Sequence, residues 1–514
     1  MIIQDLVIKT VQGRTLIDHL SFTINKGDRI ALIGEEGNGK STLLKALYNP
    51  QAIRNYAVIS GTIDYQNKTV GYLPQLLDQT WQQCSIIEYL LKNDSEEEIE
   101  IEAYNELQDY QEILAKMNLR EDFLSRNQTM GSLSGGEKIK VQLAKIIQKQ
   151  PDILFLDEPT NDLDIDTLEW LEEFLLHLNA AVLFISHDET LLENVANKIM
   201  HLEQLKRKTE VLIRQETLGY REYIEKRGYL IQRQNMIAKK EKQEHNKAMT
   251  RWREIYQKVD HQLNAVSRQD PHTAQMLKKK MRNVQSVKKR LDEKDLTEKI
   301  EPEEAINIFF SGEKSVENNQ VVLDFQSEEL RNDSGVLASN INLFIKGPQK
   351  VMIIGKNGIG KTTLLKEILQ EFEKQIKFSY HYMPQNYEEY MPMEENVVSW
   401  LAQSAKKEKL TKARSLLGNL KFTTEEMEKN LADLSGGQRA KAYLARFICE
   451  EVEVLLLDEP TRNLSPLSNP VIRELLSSFN GAILAITHDR LLIEEVGTQV
   501  YELTEDGLVE LKRI

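Results

Sequence analysis

The chain has 514 residues, 41% hydrophobic and 28% charged, with a net charge of −14, which suits two or three domains with ordinary cores. No window approaches the roughly 18 to 20 consecutive apolar residues that span a bilayer, and the N-terminal Met1-Ile2-Ile3-Gln4 enters a strand-like alternation without a basic leader, so a cytoplasmic protein with no membrane partner is expected. Cys84 and Cys449 are the only cysteines; they exclude an iron–sulfur domain, argue against zinc and read as reduced thiols.

Taken in order, Ile2 to Lys26 alternates like short strands, and Arg29 to Ile33 is a buried-strand run. It leads into Gly34-Glu35-Glu36-Gly37-Asn38-Gly39-Lys40-Ser41-Thr42. A strand, a glycine-rich loop and a helix-like Ser41 to Leu47 make a phosphate-binding loop. Gly34, Gly37 and Gly39 let backbone N–H groups face the phosphates, Lys40 reaches the β and γ phosphates of ATP, and the Ser41 hydroxyl serves Mg²⁺ beside Thr42. Tyr72-Leu73-Pro74-Gln75 then places a glutamine after a short strand. Leu133-Ser134-Gly135-Gly136-Glu137 precedes a helix and forms a second anion-binding helix start. Ile153 to Leu156 reads as a buried parallel strand ending in Asp157-Glu158. There Asp157 would hold the metal through water, and Glu158 would act as base on the attacking water. After another apolar strand, Ala181 to Ile185, comes Ser186-His187-Asp188, with His187 in reach of the γ-phosphate.

From Arg214 to Lys299 the character changes. This stretch carries 22 Lys and Arg against 12 Asp and Glu, so the rest of the chain sums to −24. No Gly or Pro lies between Gly228 and Pro271, or between Pro271 and Pro302. Two long helices are expected, with apolar stripes of Trp252, Ile255, Val259, Leu263 and Val266 in the first and Leu277, Met281, Val284 and Leu291 in the second. Asp270-Pro271 suits the N-cap and first position of the second helix, giving an antiparallel hairpin whose apex falls within Tyr256 to Thr273. A first helix of about 40 residues reaches on the order of 60 Å. Lys278, Lys279, Lys280, Arg282, Lys288, Lys289 and Arg290 crowd the second helix with no acidic residue among them, which suits a phosphate backbone and favours RNA.

The second half repeats the first. Gly355-Lys356-Asn357-Gly358-Ile359-Gly360-Lys361-Thr362-Thr363 is another phosphate loop, followed by Tyr382-Met383-Pro384-Gln385, Leu434-Ser435-Gly436-Gly437-Gln438, Asp458-Glu459 and Thr487-His488-Asp489. Ser435, Asp458 and His488 each lie 301 positions after their first-half counterparts. Between loop and signature the first half is 20 residues longer, 99 against 79; the acidic Asp94 to Glu106 is expected to be the surface part of that insertion.

This set of motifs resembles the ATP-binding-cassette ATPases over both halves. The resemblance implies an α/β fold with two tandem cassettes at 1–213 and 301–514, joined by a long helical-hairpin linker at 214–300. It also implies a monomer in which the two cassettes sandwich two ATP molecules head to tail. One site would combine Lys40, Ser41, Gln75, Asp157, Glu158 and His187 with Ser435, Gly436 and Gly437. The other would combine Lys361, Thr362, Gln385, Asp458, Glu459 and His488 with Ser134, Gly135 and Gly136. Mg²⁺ would lie at Ser41, Gln75 and Asp157, and at Thr362, Gln385 and Asp458.

Two cassettes and a charged hairpin on one chain look like the ABC-F translation factors. Members bind the ribosomal E site with ATP and extend the linker over rRNA towards P-site tRNA and the peptidyl-transferase centre. The run from Asp458 through Arg462, Asn463, Leu464 and Ser465 to Ser468 looks like the antibiotic-resistance branch of the Vga and Lsa kind. That branch implies lincosamides, pleuromutilins and streptogramin A as the drugs. Alternatives are a housekeeping ABC-F factor for stalled ribosomes and a tandem ATPase subunit of a membrane importer. A DNA-repair ATPase would bring zinc cysteines or a far longer coiled coil, so no DNA partner is expected. Within the resemblance, Ser465 stands where the first half has Asp164, Glu36 where asparagine is common, and Val11 near where an aromatic would stack on adenine. These departures imply unequal sites.

Overall fold

The computed structural model describes all residues except 96–97, 100, 127, 206–209, 266–270, 295–296, 301, 303–314, 333–334, 376, 451, 463 and 512–514. The chain forms two units, one of residues 1–220 with 303–514 and the other of residues 221–302.

The first half supplies strands β1 (Ile2–Thr10), β2 (Thr15–Thr23), β3 (Arg29–Ile33), β4 (Ala57–Asp64), β5 (Val70–Leu73), β6 (Ile153–Asp157), β7 (Ala181–Ile185), β8 (Lys198–Leu205) and β9 (Glu210–Glu216). Its helices are α1 (Lys40–Tyr48), α2 (Ile86–Leu91), α3 (Leu107–Lys116), α4 (Gly135–Gln148), α5 (Ile165–His177) and α6 (Glu189–Val195). The strands form a six-stranded sheet in the order β5-β6-β7-β3-β8-β9 and an antiparallel sheet in the order β2-β1-β4. Strands β3, β6 and β7 are buried at every position, which is why they read as unbroken apolar runs: a parallel strand is covered on both faces.

The helical unit holds α7 (Tyr220–Ala265) and α8 (Pro271–Asp292). Helix α7 starts at Tyr220 and runs through Gly228, where the sequence suggested a break; a single helical Gly costs only ~1 kcal/mol. The strand β9 also runs through the 213/214 boundary drawn from sequence. Trp252 Nε1 donates to Val284 O at 2.8 Å and His245 Nε2 lies 3.1 Å from Leu291 O. Both pairs are centred on position 268, so the reversal falls between Ala265 and Pro271. The apex residues themselves, with the stripe residue Val266 and the cap residue Asp270, lie outside the described residues. Val259 and Val284 are buried between the helices. Ile255, expected in the stripe, is 48% exposed instead, and Tyr256 takes its place beside Trp252 with ring centroids 5.2 Å apart.

The second half supplies β10 (Val321–Asn332), β11 (Gly335–Lys346), β12 (Lys350–Ile354), β13 (Tyr380–Met383), β14 (Val454–Asp458), β15 (Ala482–Ile486), β16 (Gln499–Thr504) and β17 (Gly507–Leu511). Its helices are α9 (Lys361–Gln375), α10 (Val397–Ala402), α11 (Lys407–Asn419), α12 (Thr424–Met427), α13 (Gly436–Glu450), α14 (Asn469–Ser477) and α15 (Arg490–Val496). The six-stranded order, β13-β14-β15-β12-β16-β17, repeats the first, but among the described residues the antiparallel sheet has β10 and β11 alone.

Strand β4 shows that the insertion comes in two parts, of which the acidic stretch is one. From Gly34 to Gln75 is 41 positions and from Gly355 to Gln385 is 30, so 11 of the 20 extra residues precede the glutamine, where the first half builds β4. Only the remaining nine follow it, around the exposed Glu98, Glu102 and Tyr104. Among the described residues no helix is long and apolar enough to cross a membrane.

Candidate functional site

In each large sheet the three motifs meet at one edge. The phosphate loop leaves the C-terminal end of β3 (β12), the acidic pair ends β6 (β14), and the histidine follows β7 (β15); these strands are hydrogen-bonded neighbours. Ligands of parallel α/β sheets bind in that crevice. Gly34 is obligatory at the loop entrance: its φ is +147°, and a Cβ would stand 2.4 Å from Leu202 O. Lys40 Nζ donates to Gly34 O (2.8 Å) and Glu35 O (3.1 Å), and Lys361 Nζ to Gly355 O (2.7 Å) and Lys356 O (3.0 Å). Each ammonium thus lies curled over its own loop. Burial pushes both lysines below their ordinary pKa, with Glu158 and Glu459 opposing.

The donor set fits Mg²⁺ beside a nucleotide. Ser41 Oγ donates to Asp157 Oδ1 at 2.8 Å, and Thr362 hydrogen-bonds Asp458. Asp458 Oδ2 is a buried acceptor with no partner among the described residues. A hydroxyl and one carboxylate per site, completed by phosphates and water, is how Mg²⁺ is usually held. Burial raises the pKa of Asp157 and Asp458, as expected for acids whose counter-charge is a bound cation.

Glu158 and Glu459 both have positive φ, 51° and 53°, a conformation that costs a non-glycine residue of order 1 kcal/mol or more. Each N–H donates to the neighbouring strand, Glu158 to Ile185 O (3.1 Å) and Glu459 to Ile486 O (2.9 Å). The turn aims each carboxylate out of the strand end. Glu158 accepts from Gln75 Nε2 (2.6 Å) and Asn161 Nδ2 (2.8 Å) and lies 3.0 Å from His187 Nε2. Burial alone would raise its pKa, but the hydrogen bond and charge of His187, then Asn161, hold it down to about 2. Glu459 is different. His488 Nε2 is 3.5 Å away, and burial, then the Asp458 charge, pushes Glu459 up. Asp188 and Asp489, after the histidines, cap α6 and α15 by accepting from Leu191 N and Leu492 N.

The first site is closed by the opposite half. Gly437 N, in the signature, donates to Glu36 Oε2 at 2.7 Å. His187 Nδ1 meets Leu464 O, and Asn469 Nδ2 donates to His187 O at 3.4 Å. Glu35 is buried, with Lys441 Nζ at 2.7 Å and Ser468 Oγ at 2.8 Å. Lys441, Ser468 and nearby Ser465 outweigh its burial and hold its pKa at about 2.

The second site encloses about 400 Å³, lined by Lys361, Thr362, Gln385, Glu459 and His488 from one half and Asn161 and Asp162 from the other. Here Asn357 N donates to Asp164 Oδ2 (3.3 Å), and Arg462 pairs with Asp162 at 2.8 Å. Ser134 and Gly136 are not among its lining residues. Ser134 instead caps α4, accepting from Glu137 N and donating to the Glu137 carboxylate. The asymmetry at 164/465 therefore has a structural counterpart: Asp164 faces the opposite loop in the second site, whereas in the first, where Ser465 stands in its place, the acid comes from the loop itself as Glu35.

Tyr72 escaped the sequence reading. Its hydroxyl donates to Asp157 Oδ2 at 3.2 Å, and burial, then the Asp157 charge, raises its pKa. Its recurrence as Tyr382, three residues before the second glutamine, was the available signal. Asn161 and Glu35 escaped it too; Glu35 has no second copy at 356, and Glu36, noted as a departure from asparagine, finds its partner in Gly437. Val11, off the end of β1, is 64% exposed. Asn463 lies outside the described residues.

The family described as ABC transporter matches residues 17–161 and 338–462. Over 98% of its length the chain is 26% identical to ABC transporter F family member 2 of Arabidopsis thaliana, covering 76% of that protein. Over 97% it is 29% identical to ribosome protection protein VmlR of Bacillus subtilis (strain 168), covering 86% of it. Among solved structures it resembles a chain from the complex of archaeal ribosomal stalk protein aP1 and archaeal ribosome recycling factor aABCE1. The TM-score is 0.60 at 18% identity, over 97% of this chain and 87% of that one. It also resembles RNase-L Inhibitor, with a TM-score of 0.56 at 18% identity over 99% and 91%. With each matched segment carrying a phosphate loop, its glutamine, a signature and an acidic pair, the chain belongs to the ABC transporter family, as a tandem-cassette ATPase.

Proposed function

We propose that this ATPase works on the ribosome and protects it from antibiotics at the peptidyl-transferase centre, of the lincosamide, pleuromutilin and streptogramin A classes. In this reading the protein, in the cytoplasm, closes on ATP, occupies the E site and extends the hairpin towards P-site tRNA and the drug. The observation that carries the reading is the basic face of α8: Lys278, Lys279, Lys280, Arg282, Lys288, Lys289 and Arg290 are all exposed. Their density suits an RNA backbone, where each neutralised phosphate releases counterions. Whole-length similarity to a protein named for ribosome protection supports the drug-directed branch.

ATP would sit between each phosphate loop and the opposite signature, on Gly34, Gly37, Gly39, Lys40 and Ser41 with Ser435 and Gly437, and on Gly355, Gly358, Gly360, Lys361 and Thr362 with Ser134 and Gly136. Mg²⁺, held by Ser41, Gln75 and Asp157 or by Thr362, Gln385 and Asp458, supplies charge neutralisation for the phosphates. Lys40 and Lys361 leave their own loop carbonyls to meet phosphate oxygens. Glu158 and Glu459 orient the attacking water and take its proton, while His187 and His488 hold the γ-phosphate.

The test is sedimentation of a Glu158→Gln, Glu459→Gln double variant with ribosomes, with and without ATP. The reading requires pelleting only with ATP. A variant that binds ATP but stays in the supernatant sinks it. Unchanged drug susceptibility of a deletion strain, with ATP-dependent pelleting retained, would leave a factor for stalled ribosomes in place of a resistance protein.

A further inference from the structure

The ion pairs that join the two cassettes all run one way. Among the described residues, Glu35–Lys441, Asp162–Arg462, Glu172–Arg490, Asp188–Arg490 and Glu189–Arg473 each take the acid from the first cassette and the base from the second. Two of them are a single contact seen twice. Glu172 and Arg473 are 301 positions apart, as are Glu189 and Arg490, so they occupy equivalent positions on α5 and α14, and at the starts of α6 and α15. In a two-fold interface position i meets j, and j meets i. Here the first cassette carries an acid at both positions and the second a base at both. Glu189 Oε1 lies 2.6 Å from Arg473 Nη1, Glu172 Oε1 meets Arg490 Nη2, and Asp188 lies 3.3 Å from Arg490. All four side chains are at most 15% exposed.

We propose that Glu172, Glu189, Arg473 and Arg490 decide which cassettes can close on one another, and so specify assembly of the ATP sites. Two first cassettes brought together in the same geometry would place Glu172 against Glu189 twice. Two second cassettes would place Arg473 against Arg490 twice. Like charges at such a buried contact are poorly screened by water, and Glu495, 2.8 Å from Arg473 but half exposed, offsets only part of the repulsion between two arginines. Only an acidic first cassette and a basic second cassette complete the contact. None of the four lies at a phosphate loop, signature or acidic pair, so their effect on hydrolysis passes through cassette pairing; they are positioning residues. This rests on the ATPase activity and not on the ribosomal reading.

The experiment reverses the charges in the full-length chain and reads ATP hydrolysis. Glu172→Arg with Glu189→Arg should lower turnover by about tenfold or more, and so should Arg473→Glu with Arg490→Glu. Combining all four restores opposite charges with the polarity inverted, and turnover should rise at least about threefold above either double, short of the parent because Asp188 and Glu495 then lie beside the new glutamates. A merely structural role for each side chain predicts the reverse, with the fourfold variant worse than either double. Binding of a fluorescent ATP analogue by the doubles checks that the phosphate loops remain folded. The proposal is overturned if either double hydrolyses ATP like the parent, or if the fourfold variant binds nucleotide and stays as slow as the doubles.

Discussion

Glu36 of the first phosphate loop accepts a hydrogen bond from the backbone N–H of Gly437, 2.7 Å away, at the start of the opposite signature helix. A helix start with a free N–H is a natural anion site, and here a side-chain carboxylate has it. In the second loop the same position is Asn357, whose backbone N–H faces Asp164 instead.

A γ-phosphate at the first site therefore competes with a fixed negative charge. Glu36→Gln keeps the shape and removes that charge, and should tighten ATP binding at this site by roughly five- to tenfold, about 1 kcal/mol. Titration with a fluorescent ATP analogue in a Lys361→Ala background isolates the first site. Unchanged or weaker binding would show that the Glu36 carboxylate does not contest the phosphate.

Two glycines of one loop should differ sharply on substitution. At Gly34 a methyl group meets Leu202 O at 2.4 Å, whereas at Gly37, with φ +75°, nothing lies within 4 Å. Gly37→Ala should cost only the left-handed backbone, about 1 kcal/mol. Gly34→Ala has to displace a neighbouring strand as well, at roughly 3 kcal/mol or more. Thermal melts and ATP affinity of the two variants measure the contrast.

The two histidines should titrate in different pH ranges. His187 is raised above its ordinary value because Glu158, by hydrogen bond and charge, outweighs burial; His488 is lowered to about 3 by burial, then Lys361. The sign follows from linkage. The His187–Glu158 pair contributes fully below the free imidazole pKa of about 6.5 and fades as pH rises through the raised folded value. On the acid side Glu158's share is full above the free carboxyl pKa of about 4.3 and is lost as pH falls from there through about 2. The first site should therefore lose stabilisation on the alkaline side of neutrality, a loss that Glu158→Gln abolishes. Ring nitrogen NMR shifts followed through a pH titration should show His187 holding its proton to a higher pH than His488.

In the hairpin, Trp252 joins α7 to α8 through its indole N–H and lies under Lys288, whose Nζ is 5.4 Å from the ring. Trp252→Phe removes the donor and leaves Val284 O to find water, at about 1 kcal/mol. Hydrogen exchange of amides near Val284 should accelerate by roughly fivefold, with the cassettes unaffected.

Replacing Lys278, Lys279 and Lys280 by Gln should weaken ribosome binding at every salt concentration. It should also reduce the slope of log affinity against log salt by about 2 to 3, near one unit for each lost phosphate contact. An unaltered slope would place these lysines away from the RNA.

What the sequence made legible was whatever occurs twice. Glycine loops, acidic pairs and histidines recur in the same order, and fully buried strands such as Ile153–Asp157 announce themselves as apolar runs. The sheet edge that gathers them follows from parallel topology. Residues whose meaning lies in a partner from the other cassette were silent. Glu35 reads as a loop acid until Lys441 and Ser468, more than 400 positions away, are brought to it. The positive φ at Glu158 and Glu459 was equally hidden, because glutamate carries no local sign of a left-handed turn. Of the insertion only the acidic part was legible: charged residues draw the eye, while β4 is an ordinary strand whose significance is that the described residues of the second half hold no counterpart. Ile255 fell off the stripe because spacings of three and of four both fit the pattern, and the aromatic contact with Tyr256 chose between them.

The sorted charges at Glu172, Glu189, Arg473 and Arg490 also bear on history. A pair of identical ancestral domains closing on each other would have needed an acid at one of the two positions and a base at the other. Once one copy had changed to acids at both positions and the other to bases at both, neither could pair its contact with a copy of itself. A gene that lost either half would encode a domain that repels its own kind, so the duplication can no longer be undone by deletion.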